Sequence, residues 1–423
     1  MTLGFMLTFF DFRNDVRALI KCLCQNHEVV IFIKKEHEQL VSKYLIPGMS
    51  YRIIDEYITS KSNIALTRFF LLFKKLPKSK NNYYLSETYK AEALSDSKQQ
   101  KKALSIISIQ QKLPHFYAYD TYLQSIKYSG KTDLSGIDNM IVFTEIYDDF
   151  LYARLLREQF TMYTYVYSWD HACKHVRFSK KVHYLVWNQG IAEDLKLLQQ
   201  IPDSNITIFG STQMCYLEQF KSQPKTSKPD YTYFYYGCGI GLSSMVEQEI
   251  EVIEILYDCI MLVNPNAVLL VRPYPNFNNW DMYKRLLSKS NIQLDDSYKQ
   301  ADLSIKDNDI HHKFNTIQNA DAFFHVGTTL GLEACFTDTP SFLLDISTAS
   351  EHKIGLYQFV HQYQNEKYLV KNNTENVIKS KQQLLHTLQD ITSPIYYKFN
   401  THIAEQFEIK SFEQLAQQIV DLK

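Results

Sequence analysis

Short apolar runs alternate with longer amphipathic runs along most of this chain, and that alternation limits the fold more than any other feature. "LGFMLTFF" (3–10), "HEVVIFIKK" (27–35), "YRIIDEY" (51–57), "NMIVFTE" (139–145), "MYTYVYSW" (162–169), "VHYLVWN" (182–188) and "ITIFG" (206–210) read as strands. Between them "NDVRALIKCLCQ" (14–25), with Asn14 or Asp15 near its cap, and "YDDFLYARLLREQF" (147–160) read as helices. Strands separated by helices in this order imply βαβ units and a parallel sheet.

The alternation fails between about 60 and 130, where Lys- and Gln-rich helical sequence reads as an insertion on the first domain, either a solvated decoration or an acceptor-binding lobe. It breaks again at "FKSQPKTSKPDY" (220–231), a polar stretch with two prolines that reads as a linker. It then restarts with strands at "YTYFYYG" (231–237), "AVLLVRPYP" (267–275), "ADAFFHVG" (320–327) and "SFLLDI" (341–346). The interleaved helices are "SMVEQEIEVIEILYDCIMLV" (244–263), "MYKRLLSKS" (282–290) and "TLGLEACFT" (329–337), and "KSFEQLAQQIVDL" (410–422) closes the chain. At 423 residues the chain exceeds what one core holds. The expected fold class is α/β, two Rossmann-like doubly wound domains: 1–219 with its insertion, a linker at 220–230, 231–405, and a closing helix at 406–423. Ligands in such sheets bind at the carboxyl ends of the strands, and with two sheets those ends can face one cleft.

Composition removes several function classes. Net charge is −1, from 45 basic and 46 acidic side chains, so nothing overall advertises nucleic acid as a partner. The 30 tyrosines and 26 phenylalanines read as aromatic core and amphipathic surface, with a sugar-stacking or membrane-facing role as the alternative. The seven cysteines include no CxxC pair, so neither a zinc site nor a disulfide framework follows, and a reducing cytoplasm fits. "MTLGFMLTFFDFRND" lacks a basic leader and reads as a buried strand rather than a signal peptide. No apolar run is long enough to span a bilayer.

Four segments carry candidate chemistry. In "YYGCGIGLSS", Gly237, Gly239 and Gly241 lie between a strand and a long helix, where backbone can approach a phosphate beside free N–H groups. The spacing is neither GxGxxG nor a P-loop, and a plain flexible turn remains the alternative. In "LLVRPYP", Arg272 and Tyr274 end a buried strand on a proline-stiffened loop, so the Arg272 fork can meet phosphate oxygens or pair with an aspartate. In "HVGTTLGLEA", Gly327, Thr328 and Thr329 form a strand-to-helix turn with Thr329 as the expected N-cap. Glu333 lies four residues after Thr329, so a capping box does not explain it. A carboxylate one turn into such a helix can accept both hydrogen bonds of a ribose diol, or it can be ion-paired. In "YVYSWDHACKH", Asp170, with His171 and Lys174 close by, ends a strand of the first domain and can take a proton or cap a short helix. Asp307-Asn308-Asp309 resembles a metal-binding DxD but reads more simply as a helix cap, and the adjacent His311 and His312 diverge on a helix. No metal site is expected.

Together these pieces resemble the GT-B glycosyltransferases, specifically bacterial surface-polysaccharide enzymes and the related polyglycerol-phosphate transferases, over most of the chain. "NHEVVIF" is similar to their "GHEV" strand entry, "SWDHACK" to "SWDN…K", and "VWNQGIAEDLKLLQQIPDSNITIFGSTQ" to a block ending in "Gsp". The two most specific blocks are "LLVRPYP", similar to "llvRPHP", and "NADAFFHVGTTLGLEACFTDTPSFLLD", similar to "aDvvi…Stl.lEAl..g.P". The resemblance implies a nucleotide diphosphate on the second domain, with Gly327, Thr328 and Thr329 near the diphosphate, Glu333 on the ribose and Arg272 on a phosphate. Tyr274 replaces the family histidine, and "GSTQM" lacks the usual proline and aspartate.

The expected activity is therefore metal-independent transfer of a sugar from a nucleotide-sugar, a substrate rather than a cofactor, to a glycan or lipid-linked acceptor in surface polysaccharide synthesis. Helix N-termini and Arg272 would stabilise the leaving diphosphate. An inverting reaction needs a base, for which Asp170 stands first and Asp11 and Glu145 behind it. The expected location is cytoplasmic, with peripheral attachment at the inner membrane face also allowed. The alternatives are transfer of a polyol phosphate from a CDP-alcohol, and a non-catalytic GT-B scaffold.

Overall fold

The computed structural model describes residues 1–7, 14–55, 60–128, 130–143, 148–221, 229–241, 243–274, 279–295, 307–348 and 375–422. The chain forms two compact units. One comprises Met1–Tyr84, Lys102–Glu218 and Glu408–Lys423, and the other comprises Leu85–Lys101 and Gln219–Phe407.

The first unit is built on seven parallel strands: β1 (Thr2–Leu7), β2 (Glu28–Ile33), β3 (Met49–Ile53), β4 (Asn139–Phe143), β5 (Thr161–Tyr165), β6 (His183–Val186) and β7 (Ile206–Ile208). Their order is β3-β2-β1-β4-β5-β6-β7. The central strands are buried on both faces, as their unbroken apolar sequence requires. The last helix, Phe412–Asp421, belongs to this unit. It opens with a capping box between Ser411 and Gln414, and Phe412 packs on Tyr216 at 5.0 Å between ring centroids.

The second unit holds six parallel strands: β8 (Tyr233–Gly237), β9 (Val268–Arg272), β10 (Ile292–Leu294), β11 (Ala322–His325), β12 (Ser341–Leu344) and β13 (Val377–Ile378), in the order β10-β9-β8-β11-β12-β13. One face carries the main core, where Phe234, Tyr236, Val271 and Phe324 meet Val246, Ile253 and Leu256 of the helix Ser243–Val263. The other face packs Tyr235 and Phe323 on Ile317 and Ala334. The strand order reverses between β8 and β11, which places the loops after those two strands at a topological switch point.

Three expectations change. The helical insertion does not stay wholly with the first unit. Leu85–Lys101 joins the second, where Tyr89 is buried in the core and its hydroxyl lies 2.7 Å from Met245 Sδ. The helix read at 282–290 is a single turn, Trp280–Tyr283, followed by a 3-10 segment, Lys284–Ser288. Thr328, not Thr329, caps the helix Thr329–Ala334, its hydroxyl accepting from Leu330 N at 3.4 Å.

Candidate functional site

Two loops meet at the switch point of the second sheet. Gly239, after β8, lies so close to Gly327, after β11, that a Cβ on it would stand 2.5 Å from the Gly327 carbonyl oxygen. Gly327 itself has φ +103°, a conformation side chains resist. Gly237 and Gly241 abut the rings of Phe323 and Tyr274. The structure thus brings Gly237, Gly239, Gly241, Tyr274, Gly327 and Thr328 together at the carboxyl end of the sheet, with Thr328 and Thr329 half-buried.

The glycine turn is not an empty anion cradle. The amides of Gly239 and Ile240 donate to Glu249, at 2.8 Å to Oε1 and 3.3 Å to Oε2. Tyr236 donates to the same carboxylate at 3.3 Å and Tyr283 at 3.1 Å. Glu249 is fully buried on the helix Ser243–Val263, and burial pushes it up to about 7 although all four donors pull it down. The sequence reading missed this residue. The signal was present: Glu249 falls on the apolar stripe Val246, Ile253, Leu256, Ile260 of its helix, where a carboxylate needs a partner.

Arg272 pairs with Asp295, just past β10, with Nη1 2.9 Å from Oδ2. Tyr235 donates to the same Oδ2 at 2.7 Å, and His312 Nε2 lies 3.4 Å from Oδ1. Asp295 was also missed, because the short strand β10 that it follows was not read from the sequence either. Glu333 is buried and ion-paired to Lys313, with Oε2 2.7 Å from Nζ. His312 and Lys313 are neighbours on the helix Asp307–Asn319, so one helix turn touches both Asp295, the partner of Arg272, and Glu333 itself. That helix begins at Asp307, so the DxD-like stretch, read as a helix cap, forms its first turn instead. His325, at the end of β11, is buried with Nδ1 accepting from Gly327 N at 3.0 Å, and burial pushes it down to about 3. It is a neutral imidazole that fixes the Gly327 turn.

In the first unit Asp170 is buried, accepts from Ser168 Oγ at 2.7 Å, and is ion-paired to Lys174. It occupies the N-cap position of the helix His171–Lys174, but its side chain makes no cap bond. Burial raises its carboxyl. Lys174 and His171, with the hydrogen bonds from Lys174 and Ser168, outweigh that and hold it below the usual range. The "GSTQM" loop ties into the same unit: Thr212 donates to Asp15 Oδ2 at 2.6 Å and its amide donates to Tyr165 Oη at 3.0 Å. Asp11 and Glu145 lie outside the described residues.

No protein-family model and no curated protein sequence matches the chain. Solved structures do. A Listeria monocytogenes protein described as UDP-N-acetylglucosamine 2-epimerase is similar over 99% of this chain and 94% of its own, at 10% identity and TM-score 0.52. S. aureus MnaA in complex with UDP is similar over 99% and 95%, at 10% identity and TM-score 0.52. The Methanocaldococcus jannaschii UDP-GlcNAc 2-epimerase in complex with UDP-GlcNAc and UDP is similar over 100% and 99%, at 10% identity and TM-score 0.50. With its two parallel-sheet units and these structural relatives, the chain has a GT-B glycosyltransferase-like fold.

Proposed function

We propose that the chain is a nucleotide-sugar enzyme, and within that class a glycosyltransferase that passes a sugar from a nucleotide diphosphate to a glycan or lipid-linked acceptor of a surface polysaccharide. The observation that supports a nucleotide site most is the contact of the Gly239 and Gly327 turns at the switch point of the second sheet. There the half-buried Thr328 and Thr329 supply hydroxyls beside the close-packed glycine turns, at the carboxyl end of the sheet where a diphosphate would approach. The amides held by Glu249 are not phosphate donors in this reading; they stiffen the wall. Arg272, held by Asp295, would share its fork with a phosphate and stabilise charge building on the leaving group. Glu333 would turn its second oxygen to the ribose while Lys313 keeps the first. Because the S. aureus and M. jannaschii relatives hold UDP, UDP-sugars are the first donors to test.

A second reading, a donor-binding scaffold without turnover, is favoured by one feature: Arg272, Glu333 and Asp170 each already have a charged partner within the chain. The experiment is a thermal-shift panel of UDP-, GDP-, dTDP- and CMP-sugars followed by product analysis with the donor that binds. Sugar on an acceptor supports transfer. A changed sugar still on its nucleotide makes the chain an epimerase, a phosphorus-containing mass gain makes it a polyol-phosphate transferase, and binding without chemistry makes it a scaffold. A panel with no shift at all removes the nucleotide site.

A further inference from the structure

A diphosphate at the carboxyl end of the second sheet meets two charged pairs that each cancel. Arg272 is balanced by Asp295, and Lys313 by Glu333. Arg272 and both carboxylates are buried, so solvent does little to separate the charges within a pair. Neither pair offers an incoming anion a net positive charge. One further side chain against the first pair can carry one. His312 Nε2 lies 3.4 Å from Asp295 Oδ1, while Tyr235 and Arg272 donate to Oδ2 at 2.7 and 2.9 Å. Thr316 Oγ1, one turn along the same helix, lies 3.4 Å from the same ring nitrogen. The Asp295 side chain is 2% exposed and that of His312 48%. The group therefore runs from the core to the surface, and its histidine end is the one a ligand can reach.

The pleat of the sheet places this group. Side chains alternate along β9, so Arg272 shares a face with Val268 and Leu270. Those two pack with Tyr235 and with Ile317 of the helix Asp307–Asn319. Glu249 is bonded by Tyr236, whose side chain lies on the opposite face. His312 thus stands on the Arg272 side of the sheet, away from the buried carboxyl at the glycine turn.

We propose that His312 is a further donor-binding residue, an imidazolium that contacts the diphosphate together with Arg272 while Asp295 and Thr316 steer its ring. This rests on the nucleotide site proposed above and names the positive charge that site otherwise lacks. An imidazole is suited to the task because it takes up a charge near neutral pH. With His312 in place, Arg272 need not leave Asp295 for this wall to attract an anion. A histidine that only held Asp295 in position could be replaced by glutamine, whose amide also donates to a carboxylate.

The test is titration of the full chain and its variants with UDP by calorimetry and with uridine by NMR, after thermal melts have shown each variant to be folded. His312→Gln keeps a hydrogen-bond donor and has no charge. It is expected to weaken UDP by about 10-fold or more, the scale of one hydrogen bond to a charged group, and to leave uridine within about twofold of wild type. His312→Lys restores a cation and is expected to hold UDP within about threefold of wild type. His386→Gln, the same exchange at an exposed histidine elsewhere on the second unit, is expected to bind like wild type. Equal loss of UDP in His312→Gln and His312→Lys overturns the proposal, because shape rather than charge would then matter. Uridine weakened as much as UDP overturns it too, since the contact would be to the nucleoside. If wild type binds UDP and His312→Gln binds it as tightly, this proposal alone fails. If wild type binds neither UDP nor any nucleotide-sugar of the panel, the nucleotide site fails and takes this proposal with it.

Discussion

Replacing Glu249 with glutamine removes the ionisable carboxyl buried at the glycine turn with almost no change of shape. The amide side chain of Glu249→Gln keeps an oxygen for the Gly239 N–H, which lies 2.8 Å from the carboxylate in wild type, and loses the ability to ionise. Burial raises the Glu249 carboxyl from 4.5 to about 7 in the folded chain. A raised carboxyl means that the folded state holds its proton where the unfolded chain has already released it. The resulting stability is complete below pH 4.5 and is lost as pH rises through 7. A shift of that size corresponds to about 3 kcal/mol at 1.36 kcal/mol per unit. In urea melts followed by circular dichroism and by fluorescence, wild type is expected to lose about 3 kcal/mol relative to Glu249→Gln between about pH 4.5 and pH 8. The variant profile removes contributions common to both proteins. A wild-type-minus-variant difference that stays flat across this range refutes the argument. It would mean that the two amides and two tyrosyl hydroxyls hold Glu249 ionised and outweigh its burial.

The remaining predictions concern the other paired charges. Glu333→Ala is expected to weaken binding of the donor found in the panel by about 1.5–3 kcal/mol, the scale of a hydrogen bond to a charged group, while Lys313→Met leaves it near wild type; calorimetry showing no change for Glu333→Ala removes the ribose role. Asp170→Asn breaks the buried ion pair with Lys174 and is expected to cost about 3–5 kcal/mol of stability, which thermal melts read directly. The double variant Asp170→Asn/Lys174→Met should recover most of that. If it is folded and fully active, Asp170 is not the base. Because its neighbours hold Asp170 below the usual carboxylate range, its contribution to stability is present above that range and is lost on acidification. His325, pushed down to about 3, is expected to show no imidazole titration by NMR from about pH 8 to about pH 4 in the folded chain. A midpoint near 6.5 would show that its ring is not sealed behind Gly331.

The fold was legible because it rests on patterns that survive averaging. Buried parallel strands such as "EVVIFI" must be apolar on both faces, and the long helix before β9 must carry a stripe. What was illegible depends on single contacts. Nothing in "YLSETYK" says that Tyr89 packs into the second core, because an aromatic on a polar helix suits either unit. Thr328 and Thr329 are chemically alike, and only the backbone decides which one caps. The candidate site residues were read without their partners. Arg272 and Glu333 lie where strand ends and helix starts put them, but Asp295 and Lys313 are 23 and 20 residues away, and no spacing rule connects them.

That pairing changes what the candidate site has to do. A glycine turn with free amides attracts an anion by default, whereas here a buried carboxylate already fills that position. Such a turn cannot gain a diphosphate at those amides without displacing Glu249 or keeping its charge beside the ligand's. Protonation near pH 7 removes that repulsion. If a diphosphate binds on the Thr328 side of the Gly239–Gly327 contact, its affinity in wild type relative to Glu249→Gln therefore rises as pH falls from about 8 to about 6, the ligand's own titration being common to both. Calorimetric titration of UDP across that range checks this, because the difference between the wild-type and variant slopes reports whether the carboxylate and the ligand share one electrostatic site. Equal slopes in the two proteins would separate them, and the glycine turn would then be structural alone.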